Sequence, residues 1–222
     1  MQLQWYGQSA FRFTHGPTTV VIDPFDPDAL VRRGRRWDYP AIETEADLVL
    51  VTHEHVDHDA VEVVGGDPVV LRSTAGTFES PVGPVVSVAS EHDAVAGTQR
   101  GANTILVFSL GGRRIAHLGD LGQPALRPAQ LAAIGAVDLL LAPVGGGPTI
   151  DAEQAFAVAS AVGARVVVPM HYRTARIDFL DPIDAFLERA PVVVRADGPV
   201  VDLDDEALWS GAAPVGLVPA AP

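Results

Sequence analysis

Short apolar runs separated by polar turns set the rhythm of this chain. Positions 2–6 and 9–14 alternate apolar with polar side chains, the period-two signature of half-buried strands, and His15-Gly-Pro-Thr supplies a hairpin turn. The β-branched run 18–22 ends at Asp23-Pro24, and 47–52 (DLVLVT) reads as a buried strand. Further strands are predicted at 68–72, 84–89, 103–109, 113–118, 137–143, 165–169 and 192–195, and helices at 57–64, 127–134, 151–162 and 182–189. The helix at 151 has the clearest boundaries, with Asp151 to cap it, Gln154 three residues on and Gly163 to end it. Residues 24–46 are polar and rich in Pro, Gly and Arg, and a loop of that length in a compact domain is more often functional than idle. Strands interleaved with helices, without one repeating βαβ period, predict an α/β fold of layered α+β character. No repeat or linker divides the chain, so one domain over 1–222 is expected, with the Ala/Pro-rich end 211–222 as the weakest candidate for order.

Composition narrows the chemistry. With 48% apolar and 19% charged residues in 222, the chain can bury a sizeable core. Its net charge of −13 argues against nucleic acid as a partner, because phosphate neutralisation needs a basic face. All 15 basic residues are arginine, so no lysine Schiff base can form. The single basic run, Arg32-Arg33-Gly-Arg35-Arg36, reads as a solvated loop. Cysteine is absent, which excludes disulfides, thiolate nucleophiles and Cys-ligated zinc. No signal peptide or membrane span is visible, and a cytoplasmic protein acting on a small molecule is the expectation, with a homo-oligomer left open.

One segment concentrates ligand chemistry: His53-Glu-His55-Val-Asp57-His58, directly after the buried strand 47–52. Side chains two apart beyond a strand can aim the same way, so His53 and His55 can address one point while Asp57 and His58 address a second. Imidazole nitrogens with a carboxylate suit Zn2+ and also accept Mn2+, Fe2+ or Ni2+. His92, Asp120 and His171 each follow an apolar run, and together with the cluster they complete two coordination sets for two divalent metal ions.

These residues resemble the metallo-β-lactamase-fold hydrolases. Gly7-Gln8-Ser9-Ala10-Phe11, Ile22-Asp23-Pro24, Arg100-Gly101-Ala102-Asn103-Thr104, His117-Leu118-Gly119-Asp120-Leu121-Gly122, Pro143-Val144-Gly145-Gly146 and Pro169-Met170-His171-Tyr172 further resemble a short bacterial branch of Zn-dependent hydrolases that includes L-ascorbate-6-phosphate lactonase-like proteins. The resemblance covers roughly residues 1–200. It implies a four-layer αβ/βα sandwich with the metals at one edge of two packed sheets. It also implies one metal on His53, His55 and His92, the other on Asp57, His58 and His171, and Asp120 bridging. Gln8 departs from the histidine found in many relatives.

Two divalent ions a few Å apart lower the pKa of a bridging water, and the resulting hydroxide attacks a carbonyl or phosphoryl centre. Asp57 is the candidate to orient that hydroxide and handle a proton. Asp23 is expected to hold a ligand histidine through its other nitrogen. His117 and Tyr172 are candidate proton donors, and Arg100 and Asn103 candidate substrate or loop-ordering groups. Gly145-Gly146-Gly147-Pro148-Thr149 reads as a tight strand-to-helix connection, with an anion-binding turn as its alternative. The predicted activity is hydrolysis of a small ester-like bond in a lactone, cyclic ester or phosphodiester. A non-haem iron redox enzyme on the same fold, or a nuclease, are the alternatives.

Overall fold

Alternation along the first strands decides which faces meet. Val20, Ile22, Leu48 and Leu50 point into the main core, whereas Val21, Val49 and Val51 pack on the opposite face against Ala46 and Val64. The computed structural model describes residues 1–34 and 36–222. In chain order the elements are β1 (Gln2–Gly7), β2 (Ala10–His15), β3 (Thr18–Ile22), α1 (Pro27–Arg32), β4 (Thr44–Glu45), β5 (Leu48–Val51), β6 (Val64–Gly65), β7 (Val69–Arg72), β8 (Gly76–Phe78), β9 (Val85–Glu91) and β10 (Ala102–Leu110). They continue with β11 (Arg113–His117), α2 (Pro128–Ile134), β12 (Leu139–Pro143), α3 (Ala152–Val162), β13 (Val166–Met170), α4 (Asp184–Arg189), β14 (Val192–Arg195), β15 (Val200–Asp202) and β16 (Val215–Val218).

Two mixed sheets result. One has six strands in the order β15-β1-β2-β3-β5-β7, the other eight in the order β14-β16-β13-β12-β11-β10-β9-β8, and β4 pairs with β6 alone. Their inner faces share one core, in which Phe13 meets Phe108 edge-on with ring centres 5.8 Å apart. On the far side of the larger sheet, α3 buries Ala155, Val158, Ala159 and Val162, the stripe of a short amphipathic helix. Its Asp151 and Gln154 form the reciprocal cap, and Gly163 ends it in a left-handed conformation, as expected from sequence.

Strand direction positions the site. β3 and β5 run parallel, so Asp23 and Thr52-His53 leave the smaller sheet at one edge. In the larger sheet β11, β12 and β13 are mutually parallel, and β9, antiparallel to β10, runs with them. Hence His92, Asp120, Val144 and His171 all follow strand ends on the same edge. The two edges are stitched together where Thr104 donates its backbone N–H (3.0 Å) and its hydroxyl (2.7 Å) to the Thr52 carbonyl.

Three expectations are corrected. The predicted helix at 57–64 is only a 3-10 turn over Val61–Val63, because its valines belong to the outer face of β3 and β5 and Gly65-Gly66 follow at once. The polar stretch 24–46 contains α1, which Asp26 caps by accepting from the Asp28 backbone N–H (2.9 Å). The end of the chain, expected to be weakly ordered, carries β16, inserted between β13 and β14 with Leu217 fully buried. Its valines and leucine, not its alanines and prolines, decide its place. Among the described residues, no helix is long and apolar enough to cross a membrane.

Candidate metal centre

Five of the chain's seven histidines converge on one buried carboxylate. Asp120 Oδ2 lies 3.1 Å from His92 Nε2, 3.2 Å from His171 Nε2, 3.4 Å from His58 Nε2 and 4.0 Å from His53 Nε2. His55 joins through His53, its Nδ1 sitting 3.1 Å from His53 Nε2, and Asp57 Oδ2 lies 3.7 Å from His58 Nε2. Three sets of donor atoms lie within 4.8 Å of one another: His53, His55 and His92; Asp57, His58 and His171; and His53, His58 and Asp120. The third shares a member with each of the others, so the two sets that the resemblance implies are adjacent.

Asp23 fixes how two of these rings present themselves. It is fully buried with φ +48, a left-handed backbone that aspartate tolerates better than most residues. Its Oδ1 accepts the Thr52 backbone N–H (2.8 Å), and its Oδ2 accepts the Thr52 hydroxyl (2.7 Å) and the His58 Nδ1–H (2.9 Å). The Thr52 hydroxyl, its proton given to Asp23, accepts the His53 Nδ1–H at 3.0 Å. These assignments follow from the hydrogen-bond network. One carboxylate thus holds both rings with a proton on Nδ1 and a lone pair on Nε2, facing Asp120. Thr52, which the sequence alone does not single out, is the relay.

A divalent cation fits this donor set. His58 Nε2 and His92 Nδ1 are buried without a hydrogen-bond partner, which buried polar atoms rarely tolerate. Burial, then the neighbouring His58, push the pKa of His53 far below its ordinary value, and burial followed by His92 lowers His55. Burial alone would lower His58, yet Asp120, Asp57 and Asp23 together hold it well above. Burial likewise works against the charge of Asp120, but His171 and His58 keep its carboxyl well below the usual range. Protons and imidazoles therefore compete for a few buried positions that a cation satisfies together.

The supporting loops are tightly built. Asn103 gives its amide N–H groups to Ser90 Oγ (2.8 Å) and the Leu118 carbonyl (2.9 Å), while its Oδ1 accepts the Asp120 backbone N–H (3.1 Å). It orders the Asp120 loop and is itself buried. Gly119, at φ +56, lies so close that a Cβ there would overlap Asn103 Oδ1 and fall 2.7 Å from Thr52 Cβ. Gly145 passes as tightly over the His171 carbonyl, which supports the packing reading of that glycine run.

Two expected proton donors are placed elsewhere. His117 is fully buried and fully partnered, its Nε2–H donating to the Ser9 carbonyl (2.9 Å) and its Nδ1 accepting the Gly119 N–H (3.0 Å). Burial lowers its pKa, so it is a neutral ring joining the two sheets. Tyr172 stacks on Trp5 with centres 5.4 Å apart, and burial pushes its hydroxyl pKa up. It does not line the cavity above the histidines. His117 ends β11 and Tyr172 follows β13, and both side chains are buried.

That cavity has a volume of about 700 Å³, within the range of small-molecule sites. His55, Asp57, His92, Asp120 and His171 form its floor, and Leu30, Arg33, Trp37, Arg100, Phe179 and Leu180 its walls. Within the basic run, Arg32 pairs with Asp26 and Arg36 with Asp38, while Arg35 lies outside the described residues. Arg33 is exposed, as the solvated-loop expectation has it, and also lines the cavity mouth.

Fold and site together define a metal-dependent hydrolase. The family model of the β-lactamase superfamily domain matches residues 2–171. A UPF0173 metal-dependent hydrolase from Nitratidesulfovibrio vulgaris is 32% identical over 201 residues, covering 78% of this chain and 80% of that protein. One from Thermus thermophilus is 31% identical over 226 residues, covering 86% and 91%. A Thermotoga maritima crystal structure, designated a Zn-dependent hydrolase of the metallo-β-lactamase superfamily, superposes with a TM-score of 0.78 at 30% identity and 98% coverage of both chains. The chain belongs to the metallo-β-lactamase superfamily, alongside the UPF0173 metal-dependent hydrolases.

Proposed function

We propose that the protein hydrolyses a small ester-like bond, in a lactone, cyclic ester or phosphodiester, with two divalent ions held at this centre. His53, His55 and His92 are assigned to one ion and Asp57, His58 and His171 to the other, with Asp120 between them. The observation that carries the reading is the single Asp120 oxygen within 3.1–4.0 Å of four histidine Nε2 atoms drawn from both sets. Nitrogen and carboxylate donors without thiolate favour Zn2+ and accept Mn2+, Fe2+ or Ni2+. Bound there, such ions supply activated water at neutral pH and positive charge against a developing oxyanion.

The chain's own groups supply the rest. Asp57 lines the cavity with its carboxylate part-exposed, placed to orient the attacking water and accept its proton. Asp23 and Thr52 hold His53 and His58 in the tautomer that presents Nε2. No serine, cysteine or lysine nucleophile is needed, consistent with a chain lacking two of them.

The test is metal analysis of native protein together with a hydrolysis screen over lactones, phosphodiesters and β-lactams. Bound zinc or manganese near two per chain, and activity lost with chelator, are expected. His55→Ala should lose activity and metal while remaining folded, since His55 is half-buried at the site and absent from the core. Full activity in that variant, or native protein carrying only redox-active iron, refutes the assignment.

A further inference from the structure

The histidines of the centre are not all held alike. Asp23 and Thr52 fix the rings of His58 and His53 through Nδ1. Among the described residues, His171 Nδ1 meets only the Thr149 hydroxyl, 3.5 Å away and long for a hydrogen bond. The direction of the His171 ring therefore depends on its backbone. That backbone has φ +51, a left-handed conformation that side chains larger than glycine adopt at a cost. Such a conformation persists only where the surrounding structure over-determines it.

The contacts around His171 lead to one tyrosine. The His171 backbone N–H donates to the Gln8 carbonyl at 3.2 Å, and Gln8 is itself fully buried at φ +50. β1 is antiparallel to β2, and β2 to β3, so the turn after β1 reaches the edge where Asp23 follows β3. The Tyr39 hydroxyl is hydrogen-bonded to the Gln8 backbone on one side. On the other it shares a hydrogen bond of 2.9 Å with Thr174 Oγ1, three residues beyond His171. A closed circuit results, running from Tyr39 through Gln8 and His171 to Thr174 and back. Burial raises the Tyr39 pKa, which keeps the hydroxyl protonated and able to serve both partners. Gly7, at φ +109, lets the ring come this near, since a Cβ there would overlap Tyr39.

We propose that Tyr39 is a positioning residue for His171: its hydroxyl pins the chain on both sides of that histidine, so that the ring stays aimed at Asp120 and at the ion assigned to Asp57, His58 and His171. The His171 Nε2 atom lies 3.2 Å from Asp120 Oδ2 in this arrangement. The inference rests on the ligand assignment made above and extends it to a residue outside the donor sets. None of the hydrogen bonds in the circuit involves His53, His55 or His92, so the effect falls on one ion and spares the other.

Zn2+ titration of the metal-free full chain against a chromophoric chelator tests it without turnover. Wild type should show two binding steps, of which His171→Ala abolishes one and His55→Ala the other. Tyr39→Phe removes the hydroxyl and keeps the ring among Trp37, Phe25 and Trp5, whose centres lie 5.6, 6.0 and 6.4 Å away. It should weaken the His171 step by roughly tenfold, the lower end of the range for groups that orient ligand histidines, and leave the other step within twofold. Thr174→Val, at the half-buried far end of the circuit, should weaken the same step, and Thr174→Ser, which keeps a hydroxyl, should restore it. Added to Tyr39→Phe, Thr174→Val should cost little more, because both break one bond. Tyr6→Phe removes a buried, unpartnered hydroxyl from the same apolar cluster and should change neither step.

The two readings fail separately. A His171→Ala variant that keeps both steps refutes the ligand assignment, and the inference with it. If His171→Ala loses one step while Tyr39→Phe and Thr174→Val keep both at wild-type affinity, the assignment stands and the inference is overturned. Equal weakening of both steps in Tyr39→Phe also overturns it, because a general loosening of the fold would do the same. A single step in wild type refutes the two-ion reading alone. The inference then holds if Tyr39→Phe and Thr174→Val weaken that step while Tyr6→Phe and Thr174→Ser do not, and otherwise falls.

Discussion

Replacing Asp23 by asparagine removes one charge from the centre of the molecule without changing its size, and the hydrogen bonds dictate the consequences. Asparagine tolerates φ +48, so the backbone is preserved. The Thr52 backbone N–H cannot turn away, so the amide oxygen must occupy the Oδ1 position and the amide NH2 the Oδ2 position. That NH2 then opposes the His58 Nδ1–H at 2.9 Å and the Thr52 hydroxyl proton at 2.7 Å. Relief requires His58 to move its proton to Nε2 and Thr52 to rotate its hydroxyl towards His53, which reverses that ring as well. Both Nε2 lone pairs facing Asp120 are lost or must be restored at a cost. A hydrogen bond to a charged group is worth about 1.5–3 kcal/mol, and tenfold in affinity is about 1.4 kcal/mol. Asp23→Asn should therefore weaken Zn2+ binding by roughly 10- to 100-fold, the range typical of groups that orient ligand histidines. Competition with a chromophoric chelator measures this, and thermal melting of the metal-free variant checks the fold. Thr52→Val, which breaks only the relay to His53, should give a smaller loss. Zinc affinity within twofold of wild type in folded Asp23→Asn would falsify the tautomer argument.

Gly119→Ala should destabilise the protein by about 2–5 kcal/mol, combining a left-handed backbone with the overlap on Asn103 and Thr52, and should lower metal content by displacing Asp120; denaturant melts and metal analysis read both. Deletion of 211–222 removes β16 and with it Val215, Leu217 and Val218, each worth about 1.5–3 kcal/mol of burial. That loss is comparable to a typical folding margin, so the truncated chain should fail to give a cooperative melt, and an intact melt would contradict the place assigned to β16. Asp93 gives a pH signature. Burial would raise its pKa, but four backbone N–H donors draw it down from 3.8 to about 2. A carboxylate depressed in the folded state stabilises above its unfolded pKa, and that contribution is lost as pH falls from 3.8 towards 2. Metal-free Asp93→Asn should therefore be less stable than wild type above about pH 4. The gap should close on acidification, and a gap independent of pH would exclude this role.

How much of the structure is legible in the sequence depends on the range of the forces involved. Strands 18–22 and 47–52 declare themselves because residues on both faces are apolar, and α3 because its caps lie within three residues of its start. His53, His55, Asp57 and His58 can be read together because six residues after one buried strand suffice to place them. The valines at 61–64 mislead because their helical spacing is equally compatible with covering β3 and β5, and only the sheet decides between the two. β16 escapes a local reading for the same reason: Val-Gly-Leu-Val among alanines and prolines becomes a strand only when β13 and β14 present edges on either side.

The contrast between the floor and the walls of the cavity has a physical cause. Floor residues sit at the ends of hydrogen-bonded strands running in one direction, so sheet register alone brings them to one edge. Local pattern predicts strands, and strands predict the floor. Much of the wall comes from irregular segments before β4 and after β13, where Trp37 meets Phe179 and the Tyr39 hydroxyl hydrogen-bonds Thr174 at 2.9 Å. Nothing periodic announces those contacts, because they are set by side-chain packing between loops and not by backbone ladders. The histidine cluster and the cavity walls thus rest on different parts of the fold. Changes at Trp37 or Phe179 can reshape the cavity without touching Asp23, Thr52 or Asn103. Phe179→Ala should accordingly leave zinc affinity at the wild-type value, whereas Asp23→Asn should lower it.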